Sequence, residues 1–426
     1  MVSATRRNCL LPPCCVRTWV EWDYPFPVDM RQTSKIGIGQ RLGFRLFLLG
    51  LAWIVMATTM RAASSDGAAP GATSARQVFF DVKKAAEPSF ELETRLFADA
   101  LDARLDEFSL FDAALVASGV SDAESLDRYK KKAASLVEEF RCSAKHASNS
   151  PRELAQAVFE FMHDRALRGG YRIASTDLRA TLDEGRFNCV SATILFNYLA
   201  GEVGLECRGI ALPGHVMSRV MLADGKLDLE TTCPNWFHVL ADPQKQAEMR
   251  AKSAGAALVA DRAKAQEVSP VQMAAMVYYN RGVDLLGVKK FAEAAVVNAK
   301  AVRLDAQNAT ARGNLLATLN NWSIELGGRD RFREAIDVLY QGLLLEPKYE
   351  AFAQNYVHVH RQWVESLCRS GRHAEAMEVL SQAVAEMPDQ QYLRQVQGEV
   401  SQRMARSISN RQDGNVAISS SAASSD

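Results

Sequence analysis

From residue 79 on, apolar and polar positions change rhythm twice along this chain. From about 79 to 170, apolar residues recur every three or four positions, the spacing of a helix face turned toward a core. LETRLFADALDARL at 92–105 and ESLDRYKKKAASLVEEF at 124–140 both show it. SPRELAQAVFEFMHDR, opening at 150, begins with Ser150 before Pro151, a helix start with proline in its first turn, and carries a core stripe of Leu154, Val158 and Phe161. After the breaks at Gly169–Gly170 and Gly185, NCVSATILFNYL at 188–199 predicts a helix buried through Ala192, Leu195, Phe196 and Leu199. The rhythm then shortens to alternation in CRGIAL, HVMSRVML and KLDLETT, separated by Pro213–Gly214 and Asp224–Gly225. An Asp-Gly pair between alternating runs signals a hairpin. The middle region is therefore expected to be α+β, a core helix on an antiparallel sheet behind a helical lead-in.

The last third returns to helical spacing and repeats itself. KKFAEAAVVNAKAVRLDAQN, DRFREAIDVLYQGLLLEPKY and GRHAEAMEVLSQAVAEMPDQ share a ring, then a Glu-Ala step, then an apolar ladder. Phe291, Phe332 and His373 mark the same position, since 332 − 291 and 373 − 332 are both 41. Ala294, Ala335 and Ala376 would let the helices approach closely. The pattern resembles tetratricopeptide repeats, whose usual period is about 34 residues. The extra length fits first helices longer by about two turns, as in ARGNLLATLNNWSIELGG. Three helix pairs over 270–390 would present a concave surface to a protein or peptide partner. Residues 391–426 read as a helix end and a Ser-rich, disordered tail.

Residues 1–63 read as a leader. Basic residues precede LFLLGLAWIVMATTM, which lies between Arg45 and Arg61. The run is short for a membrane span of roughly 20 residues and suits a signal peptide, with a retained anchor as the alternative. Met30 lies just upstream as an alternative start. Residues 64–78 are small and polar, a linker. The expected location is exported or membrane-anchored, on the periplasmic side of a bacterial membrane.

Charge narrows the partners. Lys+Arg and Asp+Glu are both 50, so the net charge is zero, and there is no basic surplus to favour nucleic acid. No Gly-rich phosphate loop is present. Beyond the leader, the cysteines are Cys142, Cys189, Cys207, Cys233 and Cys368, an odd number, so full pairing would leave one thiol. Cys207 and Cys233 flank the histidine strand as one candidate disulfide. Cys142 with His146, and His358 with His360, lack further ligands and give no metal site. His163, close to the glycine turn, reads as an ordinary core or surface histidine.

The chemistry concentrates at the centre. A cysteine acts as a nucleophile only as thiolate, which a helix N-terminus and a nearby imidazole both favour. Asn188 is a good N-cap residue and would set Cys189 in the first turn of its helix. His215 follows a Pro-Gly turn and begins a strand. A third group must orient the imidazole. Asp228 and Glu230 are two apart on one strand and share a face, so alternation alone does not choose between them. Backbone N–H groups at the helix start, that of Cys189 included, could stabilise an oxyanion.

RFNCVSATILFNYLAGEVGLECRGIALPGHVMSRV followed by KLDLETT resembles the transglutaminase-like superfamily, a papain-like cysteine fold, over about 80–265. The resemblance implies Cys189 as nucleophile, His215 as base and Glu230 as third residue, because LETT falls where the family has an acid followed two on by threonine. The family usually has Asp there and a following proline, so Asp228 stays as the alternative. The lead-in and the trailing repeats are similar to a known bacterial arrangement of the same superfamily. It implies thiol-dependent acyl transfer on an amide of a protein or peptide, with no cofactor; no calcium loop is recognisable. The rival reading is a non-catalytic scaffold in which the repeats carry the function.

Overall fold

A computed structural model describes residues 79–143, 150–242, 244–245, 265–387, 391, 393–402 and 405. The expected leader and linker, and nearly all of the expected tail, lie outside them. Among the described residues no helix is long and apolar enough to cross a membrane.

The lead-in is helical, and its breaks have local causes. α1 (Val82–Ala85) is capped by the Asp81 carboxylate. α2 (Glu91–Asp99) stops well short of the helix expected over 92–105. Asp99 accepts the N–H groups of Asp106, Glu107 and Phe108, which pulls the chain back on itself. Ala103 takes a left-handed φ of 66° in that bend. α3 (Leu110–Ala117), capped by Ser109, is buried from Phe111 to Ala117. α4 (Ala123–Arg141), capped by Asp122, buries Tyr129, Ala133, Val137 and Phe140 on one stripe. α5 (Pro151–Phe161) has Ser150 as cap and Pro151 in its first turn, and runs into a π-type turn over Met162–Ala166.

The middle is α+β. Two short parallel strands, β1 (Gly170–Tyr171) and β2 (Arg186–Phe187), flank α6 (Leu178–Glu184) and lead into α7 (Cys189–Glu202). The expectation of a single buried stripe on α7 understates it, since every residue from Cys189 to Phe196 is buried. β3 (Cys207–Leu212), β4 (His215–Leu222) and β5 (Gly225–Leu229) form an antiparallel meander. A short helix α8 (Trp236–Leu240) follows. β6 (Gln266–Val268) adds a fourth strand beside β3, in the order β5-β4-β3-β6. No sequence pattern announced this polar Gln-Glu-Val strand. Val216, Val220, Leu227 and Leu229 join the main core with α7, while Ile210, Leu212 and Met217 form a small cluster of their own.

Three helix pairs complete the chain: α9 (Pro270–Gly287) with α10 (Phe291–Leu304), α11 (Ala309–Gly328) with α12 (Phe332–Leu345), and α13 (Glu350–Arg369) with α14 (His373–Glu386). First helices of 18, 20 and 20 residues pack on second helices of 14 each. The Glu-Ala signature now has a physical content. Lys290, Arg331 and Arg372 each precede a second helix and bind the first-turn Glu293, Glu334 and Glu375. Those carboxylates also favour the helix N-terminus. Ala294, Ala335 and Ala376, one residue on, are fully buried. The residue before each base is left-handed: Lys289, Asp330 and, in the third repeat alone, glycine at Gly371.

No core boundary separates the sheet region from the repeats. Met273, Met276, Val277, Tyr278 and Tyr279 of α9 belong to the same buried cluster as α3, α5 and α7. A buried polar network ties the lead-in to the same place. Lys300 Nζ lies 2.6 Å from Glu93 Oε2 and 2.7 Å from Ser89 Oγ, and the Tyr278 hydroxyl donates to Glu93 Oε1 at 2.7 Å. Both charged side chains are almost completely enclosed. Removing one member strands the other's charge, so Glu93→Ala or Lys300→Ala is expected to cost about 3–5 kcal/mol, with Glu93→Leu/Lys300→Met recovering most of it. Urea unfolding of the three variants measures this; single-variant losses below about 1 kcal/mol would show that the pair behaves like a surface ion pair.

Candidate active site

The site is built from the start of α7, the start of β4 and the chain just past β5. The first turn of α7 is buried, so its N–H groups need protein partners. Asn188 supplies them: its Oδ1 accepts from Val190 N and Ser191 N at 3.0 and 3.1 Å. Ser191 Oγ accepts in return from Asn188 N, a reciprocal capping box. Asn188 Nδ2 donates to Thr176 Oγ1 and the Ile173 carbonyl, and Ser191 Oγ donates to the Ser175 carbonyl. The loop at 173–176 is thus tied to the helix start. Cys189 stands in the first helical position, fully buried.

His215 begins β4 after Gly214, whose φ of 76° carries the turn. Its Nε2 lies 2.6 Å from Glu230 Oε2, with both side chains enclosed. The other carboxylate oxygen is held by Thr232, from its backbone N–H at 3.1 Å and its hydroxyl at 2.6 Å. Burial alone would raise the Glu230 pKa. The His215 charge, the bond to His215 and the two bonds from Thr232 outweigh it and hold the carboxyl below its ordinary value.

Asp228 occupies a different position. It is paired across the strands with Arg219 and accepts from Arg219 Nε and Nη2 at 2.6 and 2.9 Å. The register decides this. The hairpin closes with Leu222 opposite Gly225, so its two loop residues are Ala223 and Asp224 rather than Asp224 and Gly225. Glu230, next after β5, is the acid that meets His215; Asp228, kept as the alternative orienter, is not beside it.

Thr193, one turn beyond Cys189 on the same helix face, ties α7 to both halves of this pair. Its hydroxyl is 2.8 Å from Thr231 Oγ1 and 3.5 Å from the Val216 carbonyl, the chain neighbours of Glu230 and His215. Tyr279 of α9 belongs to the same buried cluster as Cys189. Burial first, then the negative charge of Cys189 and Asp305, push its hydroxyl pKa up.

The sequence passed over His163. It sits in the π-type turn after α5, its ring centroid 4.7 Å from Phe159 and 6.1 Å from Phe187. Its Nε2 is enclosed without a hydrogen-bond partner. Burial pushes its pKa down to about 4, against the opposing pull of the Thr231 backbone, Asp164 and Glu230. Only its position near Gly169–Gly170 was visible in the sequence.

Cys207 and Cys233, the candidate disulfide, are separate thiols, and burial pushes Cys207 up to about 12. Among the described residues no three metal-ligating side chains cluster. His146 lies outside them; His360 Nδ1 is 2.8 Å from the Tyr356 carbonyl in its own helix. Compared with protein-family models, with curated proteins and with solved structures, the chain matches none.

His163 gives this region a measurable pH response. In the unfolded chain it takes up its proton near 6.5, in the folded protein only near about 4. Unfolding therefore binds a proton across that interval, and stability falls as pH drops through it. Glu230 adds a further loss below its ordinary value. Urea midpoints measured from pH 7 to 4 should decline in the wild type and decline less in His163→Phe; equal slopes would show that His163 is not held neutral by burial.

Proposed function

We propose that the protein is a thiol-dependent acyl-transfer enzyme of transglutaminase-like type, acting on an amide of a protein or peptide. The observation that carries the reading is the enclosed His215–Glu230 contact, set against the helix face that bears Cys189. Glu230 holds Nε2, which leaves Nδ1 as the ring nitrogen to receive a proton. The Cys189 thiol gives its proton to Nδ1, and the thiolate attacks the amide carbonyl. The carbon–nitrogen bond breaks, the departing amine takes the proton back from His215, and a thioester remains. Water resolves it to an acid, or a second amine resolves it to a new amide. Glu230 stabilises the imidazolium and fixes its tautomer. A helix start favours the thiolate over the thiol, and the sequence's acid-x-threonine step becomes the Thr232 clamp on that carboxylate.

The paired helices at 270–390 serve, in this reading, as a tetratricopeptide-type module that brings in the protein or peptide carrying the amide. The leader places the enzyme outside the cytoplasm, exported or anchored, on the periplasmic side. No cofactor enters the reaction. One observation favours a second reading, a non-catalytic interaction scaffold: the Cys189 thiol is fully enclosed.

Turnover separates the two. Mixed glutamine-containing peptides and a fluorescent primary amine report both outcomes, amine incorporation for transfer and ammonia or amine release for hydrolysis. Cys189→Ala should abolish either signal. Glu230→Gln should lower it by on the order of 10²–10⁴, and Asp228→Asn far less, since Asp228 serves Arg219. Signal retained by Cys189→Ala would overturn the thiol reading, and no signal from the wild type on peptide and protein substrates alike would favour the scaffold.

A further inference from the structure

α7 is an apolar core helix with a polar line along it. Cys189, Thr193 and Asn197 follow one another at intervals of four residues, which sets them one above the other on a single face. That line meets the sheet. Thr193 Oγ1 lies 2.8 Å from Thr231 Oγ1 and 3.5 Å from the Val216 carbonyl. Asn197 Oδ1 accepts from Ser218 Oγ at 2.5 Å. Ser218 shares its face of β4 with Val216 and Val220, the residues that enter the core with α7.

Packing alone does not call for these groups. Thr193, Thr231 and Ser218 are fully buried, where valine or alanine would fill the same space with no hydroxyl to desolvate. Nor does Thr193 serve its own helix. Thr94 and Thr318 each bond the carbonyl four residues back, a familiar habit of threonine in a helix. Thr193 reaches across to the sheet instead. Apolar contact has no direction, whereas a hydroxyl or amide bond is met only at one distance and angle. Buried polar contacts of this kind can fix the register of one element on another. Here they land where the sheet carries the ionisable pair. Val216 follows His215, and Thr231 lies between Glu230 and Thr232, the residue that clamps the Glu230 carboxylate.

We propose that Thr193 is a positioning residue of this site, with Asn197 as its second anchor. The Thr193–Thr231 and Asn197–Ser218 bonds lock the helix that carries Cys189 in one register against β4 and the 230–232 bend, and so hold Glu230 in place against His215. The inference rests on reading Cys189, His215 and Glu230 as the working site.

Thr193→Val/Thr231→Val removes both hydroxyls of one bond and leaves side chains of matching shape, so the fold should hold. Ring-nitrogen NMR of the full chain, with histidines labelled, reads the consequence without a substrate. In the double variant the His215 titration midpoint should fall by on the order of one pH unit, a tenfold weaker hold by Glu230. Thr193→Ser, which keeps the hydroxyl, should titrate as the wild type does. An unshifted His215 in a double variant whose urea midpoint is unchanged overturns the proposal. So does a wild-type spectrum with no slowly exchanging hydroxyl proton on Thr193 or Thr231, a result that needs no variant to fold. Alkylation of Cys189 against pH, in the wild type and in His215→Ala, judges the thiol reading separately. A shifted His215 in the double variant beside an unreactive Cys189 would count against that reading and leave the register role standing. A reactive Cys189 that depends on His215, beside an unshifted His215 in the double variant, would do the opposite.

Discussion

Everything at the centre of this molecule depends on one fully used amide. Asn188 is completely buried, and its side chain has two acceptor sites and two donor hydrogens. The acceptors take the second and third N–H groups of α7, and the donors go to Ile173 and Thr176. A helix start enclosed in a core is costly unless its orphan N–H groups are satisfied. Here one residue satisfies two of them and staples a loop across the opening. Cys189 follows directly, so its position is fixed by bonds made one residue earlier. The field of a helix start shielded from water acts on that thiol more strongly than it would at the surface.

The same economy explains why the repeats are not an appendage. α7 is covered almost all round, and α9 supplies part of the cover. The lead-in is then fastened to α9 and α10 by the enclosed Glu93, Lys300 and Tyr278 network. Phe79 and Phe80 extend that contact to Trp322 of α11, at ring separations of 5.5 and 5.0 Å. A change in how the repeats stack would thus be felt at the wall of the site. In the proposed enzyme, that is a physical route from partner binding to the thiol.

Much of this was legible in the sequence because it is local. The cap at Asn188, the Pro-Gly turn before His215 and the cap at Ser150 each depend on residues a few positions apart, and the 41-residue repeat shows by recurring. What was hidden depends on register or on distant packing. Alternation placed Asp228 and Glu230 on one face but could not say which faced His215; a hairpin loop at 223–224 rather than 224–225 decides it, together with Arg219 opposite Asp228. The helix over 92–105 was overridden by Asp99 capturing three N–H groups beyond it. β6 has no apolar alternation to reveal it, being recruited by the free edge of β3. His163 was passed over because its setting, beside Phe159 and Phe187, is made by packing rather than by a motif.

The central claim is that Cys189 and His215 ionise as one unit. The most direct measurement is the rate of Cys189 alkylation as a function of pH, followed by peptide mapping so that exposed Cys142 does not contribute. The account predicts a midpoint well below the ordinary thiol value of about 8.5 in the wild type, and a midpoint that climbs toward it in His215→Ala. A midpoint at or above that value, unmoved by the loss of His215, would contradict it.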